Sequence, residues 1–196
     1  MDKSRGMHMA DEHKVADPGP LGLAGFAMTT FALSSANAGI WKGGGLTVAI
    51  SLALVYGGIA QFAAGMWEFV RKNTFGALAF TSYGAFWLGL YAFINWNGGL
   101  KATNALGVYL LAWTIFTFYM MIGSFKTNVG LASVFVVLEA TFIFLTIGNW
   151  DAGHSNMVKV GGWLGIVTAI LAWYCSAAAV LNDTYKRTVL PLGPLA

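Results

Sequence analysis

The residues able to do chemistry in this chain are few, and most sit inside long apolar runs. Glu139 is an acid near the middle of one run, LASVFVVLEATFIFLTIGN, which Asn149 closes. Gln61 places an amide near the middle of another, after YGGIA. Thr81, Ser82 and Tyr83 set three hydroxyls in a row in a third. Thr29 and Thr30 add hydroxyls to DPGPLGLAGFAMTT, residues 17–30. A polar side chain in hydrocarbon needs a partner or a watery path. Consecutive helical positions do not share a face, so at least one of the three hydroxyls must face something polar. An ionised carboxylate at Glu139 would cost ~2.5–3.5 kcal/mol on insertion scales. It is therefore protonated, turned to water or paired. One reading is a proton relay; the other is a protonated acid bonded to a neighbouring helix.

What is missing narrows the chemistry further. His8, His13 and His154 fall outside the apolar runs, and the single cysteine, Cys175, falls inside one. That leaves no disulfide framework and no thiol metal site, and it removes most zinc, haem and di-iron chemistry. No metal and no cofactor is expected. No run contains Lys or Arg, so a permanent cationic site within the membrane is absent. Anion attraction must come from helix N-termini, hydroxyls and amides. This favours a small, weakly held substrate, or one that moves protonated or with a proton.

The elements that position these groups are helices in a bilayer. The chain has 196 residues, 57% hydrophobic and 10% charged, whereas soluble domains carry about a quarter charged residues. Six apolar runs, roughly 21–38, 46–69, 75–95, 104–124, 129–149 and 160–181, each approach the ~20 helical residues that cross a hydrocarbon core. The expected fold is an all-α membrane protein with six transmembrane helices. Its divisions are a cytoplasmic tail over 1–17, a six-helix transmembrane domain over 18–185 and a second cytoplasmic tail over 186–196. Ala36-Asn37-Ala38 resembles a signal-peptidase site, but the elaborate PLG start argues for a retained span.

The connections are short. Arg71-Lys72-Asn73-Thr74 joins spans two and three, where Asn73 or Thr74 can cap the next helix, and Asn128 can do the same before span five. No loop can hold a folded domain, which argues against an enzyme. Eight Lys and Arg residues lie on one side: Lys3, Arg5, Lys14, Arg71, Lys72, Lys126, Lys186 and Arg187. Three lie on the other: Lys42, Lys101 and Lys159. That bias puts both termini in the cytoplasm. Glu68 and Asp183 read as interfacial groups at span ends, Glu68 spaced to pair with Arg71 at i, i+3. Small pairs such as Ala60/Ala64 and Gly161/Gly165 suit close helix contact. For residues 17–30, prolines and glycines alone leave two readings open. One is the mouth and wall of a path; the other is a tightly packed glycine-rich helix.

The stretches 17–30, Tyr56–Gly65 (YGGIAQFAAG) and Asn73–Trp87 (NTFGALAFTSYGAFW) resemble the acetate uptake transporter family, the succinate–acetate permeases. The similarity continues through Gly107-Val108-Tyr109-Leu110, Ile147-Gly148-Asn149, Gly161-Gly162-Trp163 and Arg187-Thr188-Val189-Leu190-Pro191. It covers essentially everything from residue 17 to 193. The family pattern begins Asn-Pro-x-Pro-Leu-Gly; here Asp17 stands in place of the Asn. The resemblance implies a six-helix protomer in the cell inner (plasma) membrane, assembled as a ring-shaped homohexamer with a path through each protomer. It implies acetate or another small carboxylate as substrate, some relatives also taking succinate, with proton symport or as an anion channel. Lipid and protons are then the other partners, and no nucleic acid is. It places an apolar constriction at Phe26, Tyr83 and Leu138. It ties Ala172 to substrate size. Thr29, Gln61, Thr81 and Asn149 are expected to line the pore. Glu139 is not supplied by the resemblance; its proton-relay role is a separate expectation. The alternative is a membrane sensor or assembly protein of the same fold without transport.

Overall fold

Every apolar run forms a helix, and at three of the helix starts a side chain satisfies a first-turn donor. The computed structural model describes residues 15–41, 44–96, 104–150 and 155–195. Lys3, Arg5, Lys14, Lys42, Lys101 and all three histidines lie outside them, as does most of the 1–17 tail. The helices are α1 (Gly19–Asn37), α2 (Gly45–Val70), α3 (Thr74–Trp96), α4 (Ala105–Ser124), α5 (Val129–Trp150) and α6 (Ser155–Tyr185). Helix α2 is continuous but contains a π-helical turn, Val55–Ala60. No strand forms among the described residues; Asn128 and Pro194 make one isolated bridge.

Helices α2 to α6 are long and apolar enough to cross a membrane. The sixth expected span, α1, has 19 residues, about 28 Å at ~1.5 Å per residue, but it is less apolar. The reason is its position. It packs on α6, α2 and α3, and it buries Thr29, Thr30, Ser34 and Ser35. A helix surrounded by protein does not need an apolar surface on every side. Helix α6 also packs along α5, and α5 along α4. The α3–α4 seam is aromatic: Phe86 stacks on Tyr109 at 5.6 Å and meets Trp113 edge-on at 5.3 Å. The Tyr109 hydroxyl donates to the Phe86 carbonyl at 2.6 Å.

The proline-rich start of α1 is held by side chains at its first turn and packs closely on α2 further along. The Gly19 N–H donates to Asp17 Oδ1 at 2.9 Å, so Asp17 caps the helix. The approach is not extended, because Pro18 already has helical angles. Ser176 of α6 donates to the Pro20 carbonyl at 2.7 Å. On the packed face, a Cβ at Gly25 would sit 2.6 Å from the Tyr56 carbonyl oxygen. Only glycine allows α1 and α2 to approach this closely.

The C-terminal segment is docked on the bundle. After Tyr185 the chain doubles back, and the Asn182 side chain accepts from the Val189 and Leu190 N–H groups at 2.6 and 3.0 Å. The Tyr174 hydroxyl donates to the Pro191 carbonyl at 2.7 Å. The Gly193 and Leu192 carbonyls then accept from the Val129 and Gly130 N–H groups at 2.7 and 3.0 Å. Those donors open α5 and have no partner within it. The Asn128 side chain accepts from a third, Leu131, at 2.8 Å, as the sequence predicts. Asp17 and Leu192 line one cavity, so the two described ends of the chain share one end of the bundle.

Candidate functional site

That cavity has a volume of about 300 Å³, at the lower end of the range for small-ligand sites. It opens where α1 begins, α2 ends and α3 and α5 begin, with Leu192 of the docked segment at its side. Its deepest lining residues on α1, α3 and α5 are Phe26, Tyr83 and Leu138. These three are 5, 3 and 3% exposed. The Phe26 and Tyr83 rings lie 5.8 Å apart at 54°. Phe135 closes on Tyr83 from α5 with ring centres 6.2 Å apart. The inner end is therefore apolar on its α1, α3 and α5 sides.

The Tyr83 hydroxyl is already engaged. It shares a 2.9 Å hydrogen bond with Thr117 of α4. With the hydroxyl held by Thr117, the ring is what Tyr83 turns toward Phe26. Gln61 also lines the cavity, and its Oε1 has no partner among the described residues. It is an open polar group on an otherwise apolar wall.

The other expected pore residues stand away from this lining. Thr29 lies one turn past Phe26 on α1, donates to the Gly25 carbonyl at 2.8 Å and packs on Gly57 of the π-helical turn. Ala172 is fully buried in the apolar cluster that holds Phe26, Tyr83 and Leu138. Thr81 sits where α3 crosses Gly65 of α2, its hydroxyl without a partner. The Asn149 amide turns back to the Leu145 carbonyl at 2.8 Å. Glu139 is buried beside Leu138, with Oε2 unpartnered, and does not line the cavity.

The cavity mouth is polar in a way that spacing alone does not disclose. The sequence reads Glu68 as an interfacial acid with a modest surface pairing to Arg71. The pairing exists, at 3.7 Å, but Glu68 is 2% exposed. Its Oε2 accepts from Asn73 Nδ2 at 3.0 Å. The same Asn73 caps α3 by accepting from the Gly76 N–H at 3.1 Å. The Glu68 carboxyl thus lies against the first turn of α3, whose unpaired N–H groups favour negative charge. Arg71 donates Nη1 to Asp17, which closes the network onto α1. The Glu68–Asn73 part could be sought from sequence, since Glu68 lies at the end of one span and Asn73 lies in the short connection that follows it. The Asp17–Arg71 part spans 54 positions and leaves no local signal.

Comparison with known proteins points one way. A model of the GPR1/FUN34/yaaH family matches residues 2–196. A "Succinate-acetate/proton symporter SatP" of Escherichia coli K12 is 44% identical over 184 residues, covering 92% of this chain and 96% of that protein. "Accumulation of dyads protein 2" of Saccharomyces cerevisiae is 43% identical over 187 residues and 89% of this chain. The chain spans 65% of that yeast relative's length. The solved "Structure of the bacterial acetate channel SatP" superposes with a TM-score of 0.85 at 42% identity, covering 92% of this chain and all of that one.

Proposed function

We propose, from the premise that the chain belongs to the GPR1/FUN34/yaaH family, that it moves acetate and related short carboxylates, succinate among them, across a membrane. One observation carries this reading: a cavity that runs from the helix ends to an apolar closure made by Phe26, Tyr83 and Leu138. Acetate is a methyl group and a carboxylate. Phe26 and Leu138 can hold the methyl, and the open Gln61 amide can meet an oxygen. Such a ring discriminates by size, where one methylene is worth ~1–3 kcal/mol. Weak holding lets the substrate leave, as a transport path requires.

The rest of the proposal follows from charge and kinship. The basic bias around Arg71, Lys72, Lys126, Lys186 and Arg187 supports a cytoplasmic cavity mouth, and kinship with the bacterial symporter supports the plasma membrane. Residues 18–185 form the transport domain, with 1–17 and 186–196 on the cytoplasmic side. Six protomers form a ring, each with its own path. Thr29, Thr81, Asn149 and Ala172 belong to the wider path, and Glu139 relays protons. The protein acts as a proton symporter or a channel, not as an enzyme.

Labelled acetate uptake into proteoliposomes, with and without a pH gradient, tests the reading. Uptake that depends on the gradient supports proton coupling, and uptake without it supports a channel. No uptake under either condition overturns transport and leaves a membrane sensor or assembly protein.

A further inference from the structure

The cavity mouth holds two carboxyl groups and one guanidinium, and the guanidinium is not free. Among the described residues, Arg71 is the only Lys or Arg that lines the cavity. Its Nη1 is bonded to Asp17 and lies 3.7 Å from Glu68 Oε2. Asp17 is itself anchored, because the Gly19 N–H donates to the same Oδ1 at 2.9 Å. It belongs to the rigid start of α1. Glu68 is fixed by Asn73. The side chains of Arg71 and Asp17 are 35 and 50% exposed, so an anion in solution reaches them before the apolar interior.

We infer that Asp17, by occupying Arg71, makes the mouth favour monocarboxylates over dicarboxylates. This rests on the proposed carboxylate transport. An arginine is the side chain best suited to grip a carboxylate, through two parallel N–H bonds. Here Asp17 takes one arm of that fork, Nη1. Formal charge at the lining is one positive against two negative, so an arriving anion meets excess negative charge. A dianion meets twice the repulsion of a monoanion and finds no free cation to offset it. Discrimination here comes from the repulsive element, not from a better fit for the preferred substrate. Asp17→Asn keeps a side-chain oxygen to cap Gly19, releases Arg71, and leaves one cation against one anion.

The test is equilibrium binding of acetate and of succinate to the purified protein in detergent, by calorimetry at neutral pH. Asp17→Asn is expected to raise succinate affinity relative to acetate by about tenfold, equivalent to ~1.4 kcal/mol. Arg71→Gln is expected to lower the same ratio, because it leaves two acids unopposed. Opposite shifts support charge selection. A packing role would move both variants the same way, and that outcome, or no change in either, overturns the inference. Uptake assays on the same samples test transport separately, so loss of flux with the ratio shifts intact would count against transport alone.

Discussion

The end of α2 and the middle of α5 each bury one carboxyl group, and the bundle treats them differently. Glu68 is held by the Asn73 amide, approached by Arg71 and set against the first turn of α3. Glu139 has one oxygen without a partner among the described residues. Glu68 lines the cavity, and Glu139 does not. Position along a span is thus a poor guide to which acid serves the path. Glu139 draws the eye because it is central, where a charge is expensive. Glu68 is the acid around which three helices are fastened. A buried polar group that is fully partnered specifies geometry, and one that is half partnered is held for something else or tolerated.

The largest expected effect that would break this contrast is on stability. Glu68→Ala removes the acceptor for Asn73 and one of Arg71's two partners at the α2–α3 junction. A hydrogen bond to a charged group is worth ~1.5–3 kcal/mol, so a fall of about 2 kcal/mol is expected in thermal or denaturant unfolding in detergent. Glu139→Ala should cost clearly less. Equal losses would erase the distinction between the two acids.

The next effect sharpens the contrast at the apolar end of the cavity. Tyr83→Ala opens the ring between Phe26 and Leu138 and should change acetate flux, or admit longer carboxylates, by ~10–200-fold, the range that one methylene commands. Tyr83→Phe keeps the ring and loses only the Thr117 bond, about 1 kcal/mol, and should leave size selection nearly intact. Unchanged flux and selectivity in Tyr83→Ala would remove Tyr83 from the constriction. The smallest structural effect is expected from Glu139→Gln, an isostere that should unfold like the parent. If Glu139 relays protons, gradient-driven accumulation of acetate falls while passive flux persists; unaffected accumulation makes it a structural acid.

The helices were legible because lipid demands long apolar runs, and the caps because Asn73 and Asn128 sit where first-turn donors need acceptors. Phe26 and Tyr83 were located by resemblance within strong motifs; their 5.8 Å approach was not. Three things escaped. The docking of residues 189–195 depends on Asn182 and Tyr174, which in sequence look like ordinary span-end residues. The Asp17–Arg71 tie joins segments far apart in the chain, and no period reports it. The engagement of Tyr83 by Thr117 crosses from α3 to α4, so the tyrosine reads as an open donor until the neighbouring helix is in place.

The π-helical turn at Val55–Ala60 carries a consequence for how α2 tolerates length change. A turn closed by i→i+5 bonds houses one residue more than an α-turn. The halves on either side, one carrying Ala49 and Ala53 inward and the other Gln61 and Glu68, keep their faces because the surplus residue is absorbed between them. Deleting one residue within 55–60 should therefore let α2 close into an ordinary helix with both faces preserved. Deleting one anywhere else in α2 would swing everything on one side of the cut by about 100°, carrying Gln61 and Glu68 out of the cavity wall. The Gly57-Gly58 pair marks the place in this helix where the reading frame of its faces has slack.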